Sequence, residues 1–163
     1  MVEIAVVSPV YGCGDCLAAL HQRLTAALSA ITPSYEIILV DDRSPDDAWT
    51  VMRELAATDP HVRIYRLSRN FGQHAAITAG LTQSTARWTV VMDCDLQDPP
   101  EHIATLYAKA LEGHQVVVSR RDRRVGTMLR RTSGRAYYWL YNALTAGSDI
   151  YTNYTNFSLL SRT

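Results

Sequence analysis

Asp93-Cys94-Asp95-Leu96-Gln97-Asp98 is the segment whose residue types point most directly to chemistry. It follows a strongly apolar run, so its acids stand at the carboxyl end of a strand. Two carboxylates spaced i, i+2 at such a terminus can both turn toward one hard cation. Mg²⁺ and Mn²⁺ take oxygen ligands and are commonly held by one or two carboxylates plus substrate phosphates. Asp93 and Asp95 are therefore candidate metal ligands, since neighbouring carboxylates repel unless positive charge lies between them. A diphosphate bridging to that metal would be oriented and its leaving charge neutralised. Asp98 is read instead as the cap of a helix opened by Pro99-Pro100-Glu101.

Three other segments carry usable groups. Asp42, in Val40-Asp41-Asp42-Arg43-Ser44, can accept hydrogen bonds from a ribose or a base edge. Arg69, Asn70 and Gly72 form an anion-facing loop before a helix. His74, in the first turn of that helix, is read as a local hydrogen-bonding residue rather than a base. Pro9-Val10-Tyr11-Gly12-Cys13-Gly14-Asp15-Cys16 offers glycines that let a ligand approach the backbone, and Tyr11 can pack on a base or ribose. The same segment admits rival readings. Gly12-x-Gly14 could open a dinucleotide fingerprint, but Leu17 stands at the third glycine position. Cys13-x-x-Cys16 could be a thiol redox pair. Neither rival accounts for Asp93-x-Asp95-x-Gln97. Three cysteines without a secretory leader argue against a disulfide framework, so Cys13 is read as a loop residue and Cys16 as a small buried hydrophobe.

Charge narrows the partners. The chain is neutral overall, yet residues 120–135 hold seven arginines against Asp122 and carry +6. This split favours a local anionic partner over nucleic acid. Tyr137, Tyr138, Trp139 and Tyr141 follow, and arginines beside aromatics suit a membrane surface with anionic headgroups, while RNA uses similar chemistry and a solvated helix face is the plain alternative. No apolar run approaches the ~18 residues that span a bilayer.

Positioning these groups takes an α/β scaffold. Short β-branched runs at 2–7, 36–40, 63–67, 88–92 and 115–119 alternate with helical periods at 15–30, 45–58, 73–84, 99–112 and 126–145. This order predicts a mostly parallel sheet with helices on both faces. Ser44 and Pro45 mark the start of the second helix. Ligands of open α/β sheets collect beyond the carboxyl ends of the strands, where every candidate group lies.

Val7-Ser8-Pro9-Val10-Tyr11, Val40-Asp41-Asp42-Arg43-Ser44, Arg69-Asn70-Phe71-Gly72, Asp93 through Glu101, and Ser119-Arg120 occur in one order and spacing. Together they resemble family two glycosyltransferases of the GT-A (nucleotide-diphospho-sugar transferase) fold, on the branch of dolichyl-phosphate mannosyltransferases and bacterial polyprenyl-phosphate glycosyltransferases. The resemblance implies a single catalytic domain over 1–163, cut before a C-terminal membrane-associated segment. It implies inverting transfer of a hexose from a UDP- or GDP-sugar to a polyprenyl phosphate, at the cytoplasmic face of a membrane. A polysaccharide or glycolipid acceptor is the alternative, and homo-oligomerisation is left open. Pro9, Tyr11, Asp15 and Asp42 would line the nucleotide pocket. Asp93 and Asp95 would hold Mg²⁺ or Mn²⁺, with Gln97 completing or supporting the shell. Arg120 and Arg130 would bind the acceptor phosphate or donor diphosphate. Two stretches depart from the family: Gly12-Cys13-Gly14-Asp15 stands for Asn-Glu-x-Glu, and 153–159 lacks two acids and an arginine of Asp-x-Gly-Asp-Phe-Arg-Leu.

Overall fold

Continuous apolar runs become the middle of the sheet. In the computed structural model, which describes residues 2–120 and 154–162, β1 (Ile4–Val10) and β2 (Tyr35–Asp41) are buried along their whole length. Strands buried on both faces have no need of polar alternation, which explains the continuous apolar runs Ile4-Ala5-Val6-Val7 and Ile37-Ile38-Leu39-Val40. β3 (Val62–Arg66) and β4 (Trp88–Val91) complete the parallel part, followed by β5 (Val116–Arg120) and β6 (Tyr154–Ser161). The strand order is β3-β2-β1-β4-β6-β5. β1 pairs in parallel with both β2 and β4, and β6 runs antiparallel to β4, Val91 facing Ser158. Residues Met1–Val118 and Asn156–Thr163 belong to one compact unit; of the second, Ser119–Thr155, only the strand ends are among the described residues.

The two faces are covered by different helices. Ile4, Val6, Val10, Ile37 and Leu39 share a core with Leu17, Leu20, Leu24 and Leu28 of α1 (Gly14–Ser29), Met52 of α2 (Ala48–Thr58), and Ile103 and Leu106 of α4 (Ile103–Leu111). The apolar positions of α1 recur every three or four residues, one stripe of a helix. Val7, Ile38 and Val40 face the other way onto Ala76 of α3 (Gln73–Gln83). There Gly80 lets the helix settle on β1: a Cβ at this position would lie 2.4 Å from Val7 Cγ1.

β1 runs farther than the expected 2–7 and takes in Pro9, which lacks an N–H for a central ladder. Val10 O accepts from Asp42 N on the β2 side, whereas Val7 O accepts from Met92 N on the β4 side. Alternation puts Pro9 on the β4 side, past the last β1–β4 pair Val7–Val91. Its missing donor therefore falls where the ladder has already ended.

Two helix starts differ from expectation. α2 begins at Ala48, not after Ser44, and Ser44 is engaged elsewhere: its N–H donates to Asp41 Oδ1 (2.7 Å) and its hydroxyl to Val10 O (3.4 Å). Asp98 is not a cap either. A 3₁₀ turn (Pro100–His102) precedes α4 with Pro99 in the cap position at ψ 125°, because a residue before proline is driven out of the helical region. β6 has no counterpart among the expected strands, and the helix expected at 126–145 lies outside the described residues.

Candidate active site

The chain runs from β1 outward through β2 to β3, then returns by α3 to β4 on the other side of β1. The direction of winding thus reverses between β1 and β4, where the loops leaving the two strands part and open a crevice. A cleft of about 450 Å³ lies there, lined by Pro9–Cys13, Asp42, Asn70, Gly72, Gln73 and Asp93–Asp95. Every parallel strand contributes its carboxyl-terminal loop.

The loop after β1 turns at Gly12, whose φ of +66° suits a residue without Cβ. Gly12 N donates to Ser44 Oγ at 3.3 Å. Gly14 is held differently from expectation. It opens no space for a ligand, because its N–H donates to Asp46 Oδ2 (2.9 Å) and a Cβ there would lie 3.0–3.2 Å from Asp46, Asp47 and Ala48. Asp46 thereby satisfies an end group of α1 from across the fold. Tyr11 lines the cleft with 54% of its surface exposed.

Adjacent aspartates play different parts. Asp41, fully buried, pairs with Arg66 at 2.8 Å, and Arg66 lies over the Trp49 ring. Asp42 faces the cleft, and its oxygens accept from Phe71 N and Gly72 N, both at 2.8 Å. A buried carboxylate holding two backbone donors fixes the loop after β3, including Gly72 at φ +92°. Arg43, between Asp42 and Ser44, adopts φ +61°, a strained state kept where surrounding bonds over-determine it.

Asp93 and Asp95 stand at the opposite wall. Gln73 Nε2 donates to Asp93 Oδ1, and Asn156 Nδ2 reaches Asp93 Oδ2 at 3.5 Å. Burial pushes the Asp93 carboxyl above its ordinary range, and the charges of Asp95 and Asp98 push the same way, against these two amides. Asp95 is exposed and accepts from Gln97 N at 3.0 Å, closing a turn in which Leu96 takes φ +60°. Among the described residues no three His, Cys, Asp or Glu side chains converge as a metal cage. Two carboxylates in a negatively charged crevice nevertheless fit Mg²⁺ or Mn²⁺, which fill their remaining positions with phosphate oxygens and water. They do not fit zinc of the closed structural kind.

One reading is overturned outright. Cys13 and Cys94 form a disulfide, with Cα atoms 6.5 Å apart, and Cys16 is the free thiol. The bridge removes the Cys13-x-x-Cys16 pairing. A separation of 81 residues hides it in the sequence, whereas β1 and β4 are neighbours and bring their loops together.

The other expected residues divide. Pro9, Tyr11, Asp42, Gly72, Asp93 and Asp95 meet in the cleft; Asp15, Arg69 and Gln97 are not part of its lining. Asp15 is exposed in the first turn of α1, and the Arg69 guanidinium lies 4.6 Å over the Phe71 ring. Arg120 ends β5, exposed, and Arg130 lies outside the described residues. Glu101 serves the fold, because the fork of Arg23 grips it at 2.6 and 2.8 Å and holds its carboxyl down to about 2. Gln73 and Asn156 join the site without having been expected there. Nothing in a helix's first residue announces the target of Gln73, and Asn156 sits on a strand that local pattern does not reveal.

Comparison with known proteins agrees with this geometry. The sequence profile of glycosyl transferase family 2 matches residues 5–163. An undecaprenyl-phosphate 4-deoxy-4-formamido-L-arabinose transferase of Yersinia pestis (strain Pestoides F) is 43% identical over 135 residues, which are 82% of this chain and 41% of that protein. Its namesake in Klebsiella pneumoniae is 42% identical over 134 residues, with the same shares. The chain thus spans about two fifths of the curated relatives it matches. Among solved structures, glucosyl-3-phosphoglycerate synthase of Mycobacterium tuberculosis, in complex with Mn²⁺, UDP and phosphoglyceric acid, superposes with TM-score 0.70 at 18% identity, covering 98% of this chain and 56% of that one. The mannosyltransferase PcManGT of Pyrobaculum calidifontis, in complex with GDP-Man and Mn²⁺, gives TM-score 0.59 at 19% identity over 75% and 36%. At these identities the likeness is one of fold.

Proposed function

This chain belongs to glycosyl transferase family 2, and from that premise we propose that it transfers a hexose from a UDP- or GDP-sugar to a polyprenyl phosphate, inverting the anomeric carbon. The observation that carries the reading is the crevice between β1 and β4, with backbone and Asp42 on one wall and Asp93 and Asp95 on the other. Polyprenyl phosphate as acceptor rests on the names of the Yersinia and Klebsiella relatives, and a divalent metal on the complexes of the structural neighbours.

Pro9 to Gly12 and the loop held by Asp42 would seat the nucleoside, with Tyr11 available to cover a flat ring. Asp93 and Asp95 would hold Mg²⁺ or Mn²⁺, which when bound neutralises the diphosphate as it leaves. Gln73 and Asn156 keep Asp93 aimed into the cleft by donating to both of its oxygens. Gln97 serves through its backbone, which fixes Asp95, and its side chain completes the shell only by turning inward. The lipid phosphate is already anionic near neutral pH, so the reaction asks little of a general base. His74, exposed on α3, has no part in it. Arg69 would neutralise phosphate at the rim, with Arg120 and Arg130 engaging the acceptor phosphate or the donor diphosphate. Asp15 stays in the first turn of α1, outside the lining. The enzyme would work at the cytoplasmic membrane face; among the described residues no helix is long and apolar enough to cross a bilayer.

The test is transfer of labelled hexose from UDP- and GDP-sugars to undecaprenyl phosphate in detergent or vesicles, with Mn²⁺ or Mg²⁺. Labelled lipid from one donor only supports the proposal. Label reaching a polysaccharide or glycolipid acceptor but not the lipid phosphate would replace it with the alternative.

A further inference from the structure

The Cys13–Cys94 bridge has no role in the transfer reaction, yet both half-cystines line the cleft. Cys94 lies between Asp93 and Asp95, and Cys13 follows the Pro9–Gly12 wall. The bridge therefore fastens the loop bearing both carboxylates to the loop facing the nucleoside, across the gap that opens beyond the β1–β4 pairing. Other ties on the two carboxylates are weaker than a covalent bond: Asp93 is held by the amides of Gln73 and Asn156, and Asp95 by a bond within its own turn. With the bridge formed, the cleft is open and both carboxylates line it.

We propose that Cys13–Cys94 is a thiol–disulfide exchange site, reduced by a dithiol, whose oxidised form holds the cleft ready for nucleotide and whose reduced form loosens it. The role of nucleotide in this statement rests on the function proposed above. The exchange balances simply. A dithiol's first thiolate attacks one bridge sulfur, forming a mixed disulfide and releasing the other cysteine as thiolate. Its second thiolate then displaces the remaining cysteine, so that Cys13 and Cys94 gain two electrons and two protons and the reductant leaves as a cyclic disulfide. Both half-cystines are 7–9% exposed and line the cleft, so attack comes through the space a nucleotide would fill. Bound nucleotide consequently slows reduction by filling that path; separately, because the reduced form binds nucleotide more weakly, nucleotide favours the bridged form at equilibrium by the same factor.

The experiment compares protein purified without reductant before and after dithiothreitol. Peptide mass mapping reads the bridge, hydrogen exchange reads residues 92–98, and calorimetry reads UDP and GDP with Mn²⁺. The expected result is a Cys13–Cys94 linked peptide, faster exchange across 92–98 after reduction, and nucleotide affinity lower by about tenfold, the scale of re-ordering a released loop. Cys16→Ser keeps all three responses, and the double variant Cys13→Ser/Cys94→Ser loses its sensitivity to dithiothreitol while remaining folded by circular dichroism. Free thiols at Cys13 and Cys94 in the unreduced protein overturn the proposal, as does a bridge whose reduction changes neither exchange nor affinity. A bridge that controls exchange at 92–98 in a protein binding neither nucleotide would leave the exchange site standing and remove the nucleotide reading instead.

Discussion

At the scale of single residues, the site depends on carboxylates given unlike surroundings. Asp41 is neutralised by Arg66 and serves the fold; Asp42 is spent on two backbone donors; Asp93 is half-buried beside like charge; Asp95 is exposed. Only the last two of these four are placed to welcome a cation. Asp95→Asn should leave the melting temperature within a degree or two, since the side chain is exposed, and reduce metal-dependent turnover by at least about 100-fold. Turnover above a tenth of wild type would remove the metal from Asp95. Asp42→Ala should act differently, freeing the Phe71 and Gly72 N–H groups and costing about 3 kcal/mol by urea unfolding, the low end for two bonds to a charged acceptor at about 1.5–3 kcal/mol each. The low end applies because Phe71 is exposed and Gly72 only half-buried, so water can reach the freed groups. An Asp42→Ala protein as stable as wild type would show that the 68–72 loop needs no such anchor.

At the scale of elements, close approach governs the layer of α3 on β1. Gly80→Ala gains about 1 kcal/mol of helix propensity but places a methyl 2.4 Å from Val7 Cγ1. Overpacking of about 1–3 kcal/mol should prevail, giving net destabilisation that Val7→Ala partly relieves in the double variant; additive effects would contradict the contact. A second junction joins α1, the end of α2 and the start of β3. Asp59 accepts from the His21 ring at 2.7 Å and from the His61 ring and N–H at 2.9 Å each. Burial pushes its carboxyl up, yet these bonds outweigh burial and hold it below the ordinary range. A depressed folded-state pKa stabilises above the unfolded value of about 4 and is lost as pH falls through the folded one. Asp59→Asn should therefore lower stability at pH 6–7 and converge with wild type at acid pH, checked by denaturation across that window; a constant difference down to pH 2 would contradict the sign. Elements also mark how far the sequence can be read. Period and β-branching locate β1 to β5 and the first four helices, because apolar β-branched runs and one-sided helices leave local patterns. β6 leaves no such trace: its pairing with β4 is antiparallel and distant, and residues 153–159 look only like an altered motif.

At the scale of the whole molecule, the strand order makes the site, since reversal at β1–β4 gathers loops from four strands that are far apart in sequence. The rule that ligands collect at carboxyl ends identifies those loops and six lining residues in advance. It cannot pair Cys13 with Cys94 across 81 residues or send Gln73 and Asn156 to Asp93, because each depends on tertiary neighbours rather than on period or motif. The central claim is that this crevice binds a nucleoside diphosphate through a divalent cation on Asp93 and Asp95. Thermal unfolding with UDP or GDP, each with and without Mn²⁺, tests it most directly, because a ligand selective for the native state raises stability as its concentration exceeds Kd. At 100 Kd the gain is about 2.7 kcal/mol, a shift of several degrees for one nucleotide only when Mn²⁺ is present, and absent in Asp95→Asn. An equal shift without metal, or none with any nucleotide, would contradict the account.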